Sequence, residues 1–216
     1  MTIQMYGFWR SIAAFRVRVA LKLKGLAFEE TPIDILTGEQ FKPGYDAINA
    51  ERVVPTFVHD GHTVFQSLAI IEYIEDIKPE PRLIPADPKE RAYARSLALM
   101  TVADSHPLVT PRVRNHVAKT FGADARTVEQ WGKHWTTEAL GTYERLLTRR
   151  APAPFALGAE PGLADICIAG QVVTAQYVKL DLTPFPLVSR LAERCFALPA
   201  FASSHPFEQP GYKGTH

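Results

Sequence analysis

Apolar residues along the chain first cluster in a short run, Ile3 to Phe8, and then take up helical spacing from Ser11 to Lys24. In that second stretch Phe15, Val17, Val19, Ala20, Leu21 and Leu23 are apolar, while Arg16, Arg18, Lys22 and Lys24 are charged. The pattern predicts a strand and then a helix that Gly25 stops, with its cations gathered where the negative end of the helix dipole lies. Those cations read as a solvated face. Phe28 to Ile35 reads as a second strand, and Thr37-Gly38-Glu39-Gln40 as a capping box opening a helix to about Ile48. The run VVPTFVHDGHTVFQS, from Val53 to Ser67, predicts a hairpin turning at Asp60-Gly61. Ser67 then caps a helix running to Asp76. The order is β-α-β-α-β-β-α.

Prolines 79, 81 and 85 forbid regular structure from Lys78 to Pro88, so the domain boundary belongs there. We expect a first domain over residues 1–78, a linker over 79–88 and a second domain over 89–216. Strand signals vanish beyond the linker. Asp87-Pro88 opens a long helix that Pro107 and Pro111 bend or interrupt. Further helices are predicted over Thr127 to Leu147, Gly162 to Tyr177 and Pro186 to Leu198, with an irregular tail from His205. A small α/β domain precedes an all-α one.

Composition narrows the function classes. Lys and Arg number 24 against 23 acids, a formal charge of +1, so there is no bulk attraction to nucleic acid or membrane. No apolar run has the length of a membrane span, and the amino-terminal stretch lacks the marks of a secretion signal. Cys167 and Cys195 make no disulfide framework, and a reducing cytoplasm is the natural compartment. No metal site is expected: His59 and His62 flank a turn without a second pair, and HExxH and CxxC are absent. Nucleotide-binding glycine motifs are absent as well.

Two features ask for chemistry. Ser11 stands alone before Ile12, Ala13 and Ala14, as a helix cap or as a hydroxyl facing a ligand, and both roles are open through different atoms. Pro55 interrupts a β-type run, where proline normally damages the ladder. Together with the βαβαββα order, VVPT before a hairpin and QSLAIIEYIED on the next helix, the chain resembles a cytosolic glutathione transferase. FWRS, FRVRVALKLKG, Ile33-Asp34 and LDLTPFP at 180–186 narrow the resemblance to the zeta class, the maleylacetoacetate and maleylpyruvate isomerases. His106-Pro107 and TFGAD at 120–124 lean toward the maleylpyruvate branch.

The resemblance implies a thioredoxin-like first domain, a helical second one, glutathione as cofactor and a cytoplasmic homodimer. It implies a cis Pro55, although X–Pro bonds are by themselves mostly trans. It places the Val54 backbone against the cysteinyl part of glutathione, Gln66 and Ser67 at the γ-glutamyl carboxylate, and Gln40 at the glycyl end. His106 stands where the family has a polar group near glutathione. On the residues alone Ser67 is equally a cap, Gln40 equally a capping-box partner, and His106 equally an interhelical histidine.

Ser11 is implied to steady the thiolate. Lowering a thiol pKa by two units takes about 2.7 kcal/mol of preference for the anion. A charge-assisted hydrogen bond and a helix dipole together supply that. The substrates of this class carry carboxylates, for which arginine is the natural partner. Arg10 is the first candidate and Arg112 the second, though each also reads as a surface ion-pair member, Arg112 at least equally so. Two departures stand out. Ala13 replaces the class cysteine, which argues against reductive dehalogenation, and Tyr177 replaces a usual arginine on the substrate side. The expected function is glutathione-dependent cis–trans isomerisation of a maleyl keto acid. The alternatives are a transferase or peroxidase for apolar electrophiles, and a non-catalytic module of the same fold.

Overall fold

The computed structural model describes residues 2–214. They divide into two compact units, one running to Leu83 and resumed from Leu198 onward, the other spanning Ile84–Ala197. The carboxy-terminal segment, expected in the helical domain, groups with the first unit instead.

In the first unit, strand β1 (Ile3–Gly7) leads to α1 (Ile12–Leu23) and β2 (Glu29–Pro32). A short helix α2 (Pro43–Asp46) follows, then β3 (Thr56–His59), β4 (His62–Phe65) and α3 (Ser67–Ile77). The sheet order is β2-β1-β3-β4, with β1 parallel to β2 and antiparallel to β3. Alternation in β1 buries Ile3 and Met5, and Ile70, Ile71 and Ile74 form the inner face of α3. At the hairpin Asp60 and Gly61 both have positive φ (46° and 81°), as a tight two-residue turn requires.

Three expectations fail here. The capping box at Thr37 does not form: its Oγ1 donates back to Asp34 O, and Glu39–Phe41 makes a single 3₁₀ turn. Pro43 then starts a separate helix, because proline lacks the N–H that a continuous helix needs. Ser67 is not a cap but the first residue of α3. Gln66 holds the cap position with φ 68° and makes no side-chain cap bond. Third, the cations of α1 are not a solvated face. Arg16, Arg18 and Lys24 are 1–2% exposed, because Glu30 of β2 and Glu75 of α3 stand opposite two of them. Lys24 Nζ lies 2.5 Å from Glu75 Oε2, and that same oxygen accepts from Leu83 N–H. The predicted stop at Gly25 holds: its φ is 61°, and Leu26 N–H returns to Leu21 O.

The carboxy-terminal segment contributes α10 (Pro199–Ala202) to this unit. Phe201 meets Phe15 at 6.5 Å between ring centroids, and Lys22 Nζ donates to Ser203 O. Farther on, Tyr212 packs on Trp9 at 5.5 Å and stacks on Phe207 at 4.9 Å.

The second unit is helical. Helix α4 (Pro88–Leu99) is capped by Asp87, whose carboxylate accepts from Lys89 and Glu90 N–H. A π-helical stretch, Met100–Ser105, leads to α5 (His106–Val109), and Pro111 opens α6 (Pro111–Phe121). Pro107 cannot donate to the carbonyl four residues back and crowds it, which accounts for the irregular turn just before it. Then come α7 (Ala125–Leu147), α8 (Leu163–Tyr177) and α9 (Pro186–Phe196). Helix α8 is buried throughout Leu163–Ala175, surrounded by α4, α7 and α9.

Candidate functional site

Register brings the proposed first-domain residues to one end of the sheet. Tyr6 pairs with Thr56, and Thr56 with Phe65. The turn after β1, the Val54-Pro55 loop before β3 and Gln66-Ser67 after β4 therefore adjoin one another. A buried cluster of Phe8, Ile33, Tyr45 and Val54, with Trp9 and Tyr6 against it, packs the first two of these together.

Ser11 is the N-cap of α1. Its Oγ accepts from Ala14 N–H at 3.1 Å, and its N–H donates to Phe8 O at 2.9 Å. Accepting that bond leaves the hydroxyl proton available, at the positive end of a twelve-residue helix. Cap and donor thus use different atoms of one side chain. Of the apolar residues behind it, Ile12 and Ala14 are buried in the core and only Ala13 is half-buried. That apolar run is a packing feature and not a ligand-facing wall.

The Val54-Pro55 bond is cis. Two side chains brace the loop. Tyr45 Oη bonds to Val53 O at 2.5 Å and Thr56 Oγ1 at 2.7 Å, while Asn49 Nδ2 reaches the same two atoms at 3.1 and 2.8 Å. Burial pushes the Tyr45 phenol above its ordinary pKa, so it stays a donor. Among the described residues the Val54 N–H and C=O find no backbone partner. A short extended edge is left open to an extended peptide.

Gln66 adopts its positive φ without being glycine, a conformation that costs about 1–3 kcal/mol and is held by context. Its Nε2 donates to Glu51 Oε1 at 2.6 Å. Ser67 is 2% exposed, and Arg16 Nε donates to its Oγ at 3.0 Å. The occupied lone pair leaves the Ser67 proton to donate, beside the first N–H groups of α3, where an anion is favoured. Gln40 is half-buried. Its Nε2 lies 3.4 Å from Ile35 O, and its Oε1 is buried with no partner among the described residues. These groups fit a γ-glutamyl tripeptide: an anion site at α3, an extended edge at Val54, and an orphan acceptor suited to a peptide N–H at Gln40.

Arg10 is half-buried beside Ser11. The other candidates lie in the second unit: His106 begins α5 half-buried, Arg112 is exposed in the first turn of α6, and Tyr177 ends α8. Among the described residues no group of three His, Cys, Asp or Glu side chains stands ready for a metal ion. Sequence reading missed Tyr45, Asn49 and Glu51 as braces and Arg16 as the partner of Ser67. Only the acids Glu30 and Glu75, matched against too many cations for one amphipathic helix, hinted at buried pairing.

The family model for the glutathione S-transferase N-terminal domain matches residues 1–76. Maleylacetoacetate isomerase of Pseudomonas aeruginosa is 36% identical over 211 residues, covering 96% of this chain and 98% of that protein. Maleylpyruvate isomerase of a Ralstonia species is 35% identical over 209 residues, covering 96% and 99%. Among solved structures, maleylacetoacetate isomerase from Methylobacterium extorquens AM1, with bound malonate and glutathione, superposes with a TM-score of 0.93. Its identity is 40%, over 96% of this chain and 98% of that one. The holo structure of a maleylpyruvate isomerase described as a bacterial zeta-class enzyme gives 0.92 at 35% identity, over 96% and 99%. With near-complete coverage of relatives and solved structures at 35–40% identity, this chain belongs to the zeta-class glutathione transferases, the maleylacetoacetate and maleylpyruvate isomerase family.

Proposed function

We propose that the protein is a glutathione-dependent cis–trans isomerase of maleyl keto acids, with maleylpyruvate its preferred substrate. The observation that carries this reading is Ser11: its Oγ caps α1 through Ala14 N–H and keeps a proton to donate at the helix's positive end. Glutathione, when bound, supplies the thiolate that adds to the cis double bond and leaves again once the bond has turned. The chain's own residues hold and orient. Ser11 donates to the sulfur, and the Val54 backbone pairs with the cysteinyl part. Ser67, with Gln66, receives the γ-glutamyl carboxylate at the start of α3, and Gln40 receives the glycyl end. His106 contributes a further polar contact. Arg10, with Arg112 as second candidate, binds substrate carboxylate and the carbonyl oxygen on which negative charge develops. Tyr177 takes the place of a class arginine, so it sets how much cationic help the substrate receives. The same reading includes a cytoplasmic homodimer.

The test is the ultraviolet absorbance of maleylpyruvate and of maleylacetoacetate, each with and without glutathione. Turnover that requires glutathione and is faster with maleylpyruvate is the expected result. Turnover of neither acid, alongside conjugation of apolar electrophiles, would replace the isomerase with a transferase.

A further inference from the structure

The turn that carries Ser11 is anchored from beneath by an ion pair between a buried arginine and a half-buried glutamate. Arg18, two turns along α1 and 1% exposed, forms a fork with the Glu30 carboxylate: Nε to Oε2 at 2.7 Å and Nη2 to Oε1 at 2.5 Å. The same Nη2 also donates to Phe8 O at 3.1 Å. Phe8 O is the carbonyl that accepts the Ser11 N–H. One oxygen therefore receives both the guanidinium and the serine backbone, and it lies at the start of the turn. Gly7 completes the arrangement. A Cβ at Gly7 would collide with Glu30 Oε1 and sit 3.1 Å from the carboxylate carbon, so glycine here makes room for the fork.

We propose that Arg18 is a positioning residue for the thiolate site, setting the Phe8–Ser11 turn through Phe8 O while Glu30 and Gly7 hold its guanidinium in place. The inference rests on the role given to Ser11 above. A planar fork fixes position in a way that a point charge on a flexible stem does not, so lysine is a poor replacement. Paired with the Glu30 carboxylate, the guanidinium acts through the position it fixes and not through net charge. Loss of the fork then moves the serine hydroxyl and weakens its preference for an anion, without touching any ligand directly.

The test uses the full chain with glutathione and the variants Glu30→Gln, Gly7→Ala, Arg18→Lys and Ser11→Ala. Three quantities are read: the pKa of the bound thiol from thiolate absorbance, glutathione affinity by calorimetry, and the thermal midpoint. Ser11→Ala calibrates the underlying reading. If it leaves the thiol pKa unmoved, or if the native protein binds no glutathione, both the Ser11 role and this inference fall. With Ser11→Ala effective, the expected result is that Glu30→Gln and Gly7→Ala raise the thiol pKa in the same direction. Turnover at neutral pH should drop by about 10- to 100-fold, the scale of a small misplacement, with glutathione affinity changed much less. Arg18→Lys should behave like Glu30→Gln. A lowered thermal midpoint in folded Glu30→Gln and Gly7→Ala proteins whose thiol pKa stays native would overturn the inference and leave the fork a stability element alone.

Discussion

On the proposed reading, Ser11 does two jobs that separate under substitution. Ser11→Ala removes the Ala14 N–H acceptor, which costs about 1 kcal/mol of stability, the usual value of an N-cap hydroxyl. It also removes the donor to sulfur, so the bound thiol should titrate about one to two units higher. Ser11→Asp keeps a cap but adds a negative charge. It should restore the thermal midpoint while leaving turnover lost, which denaturation and rate measurements on one preparation can check. Arg10→Ala makes a different distinction. If Arg10 binds substrate carboxylate, kcat/KM for a maleyl keto acid should fall by about 10- to 100-fold, with thiol pKa unchanged and conjugation of a neutral electrophile nearly native. Equal loss on both substrates would assign Arg10 to the glutathione side. Arginine and serine at these positions stood out in the sequence as candidates for chemistry. That Ser67 receives a hydrogen bond from Arg16 was not, because fifty-one residues separate them and only the packing of α1 on α3 brings them together.

Among the elements, α8 carries the clearest pH signal. Asp165, 1% exposed, accepts from Gly162 N–H at 2.9 Å and Ala156 N–H at 2.8 Å, tying the start of the helix to the preceding loop. Burial pushes its carboxyl up to about 6, against the opposing pull of those N–H bonds. A raised carboxylate pKa means that the folded state holds the proton more tightly than the unfolded chain does. Stability from this group is therefore fully present below the ordinary value of 3.8 and is lost as pH rises through about 6, by roughly 3 kcal/mol in all. Asp165→Asn cannot titrate and should flatten that part of the stability profile in urea unfolding, while lowering stability at acid pH by the loss of one N–H acceptor. The helix itself was readable from Gly162 to Tyr177, since an apolar run between glycine and a polar end has few other solutions. The break at Pro43 was readable too, yet the capping-box pattern at Thr37 masked it. Local patterns compete, and the loop's own hydrogen bonds to Asp34 won.

At the scale of the first unit, the buried cations of α1 distribute its stability. Lys24 and Glu75 join α1, α3 and the segment up to Leu83. Removing one partner leaves a buried charge, so Glu75→Ala should cost about 3–5 kcal/mol, whereas the double replacement Lys24→Met with Glu75→Leu should come out close to neutral. Chemical denaturation of the native protein, the single variant and the double variant decides it. The same unit gathers the carboxy-terminal segment, through Phe201 on Phe15 and Tyr212 on Trp9, which no local pattern foretold. Sequence by itself determined the order of strands and helices, the hairpin turn at Asp60-Gly61, the interruption at Pro107 and Pro111, and the serine at a helix start. All of these follow from periodicity, from glycine and proline backbone limits, and from capping, which act within a few residues. Only the tertiary structure decided that Arg16, Arg18 and Lys24 point inward, that Tyr45 and Asn49 brace the Val54 loop, and that the tail returns to α1. Burying a charge or leaving a backbone edge open is favourable only when a partner arrives from elsewhere in the chain, and the identity of that partner is a property of the fold.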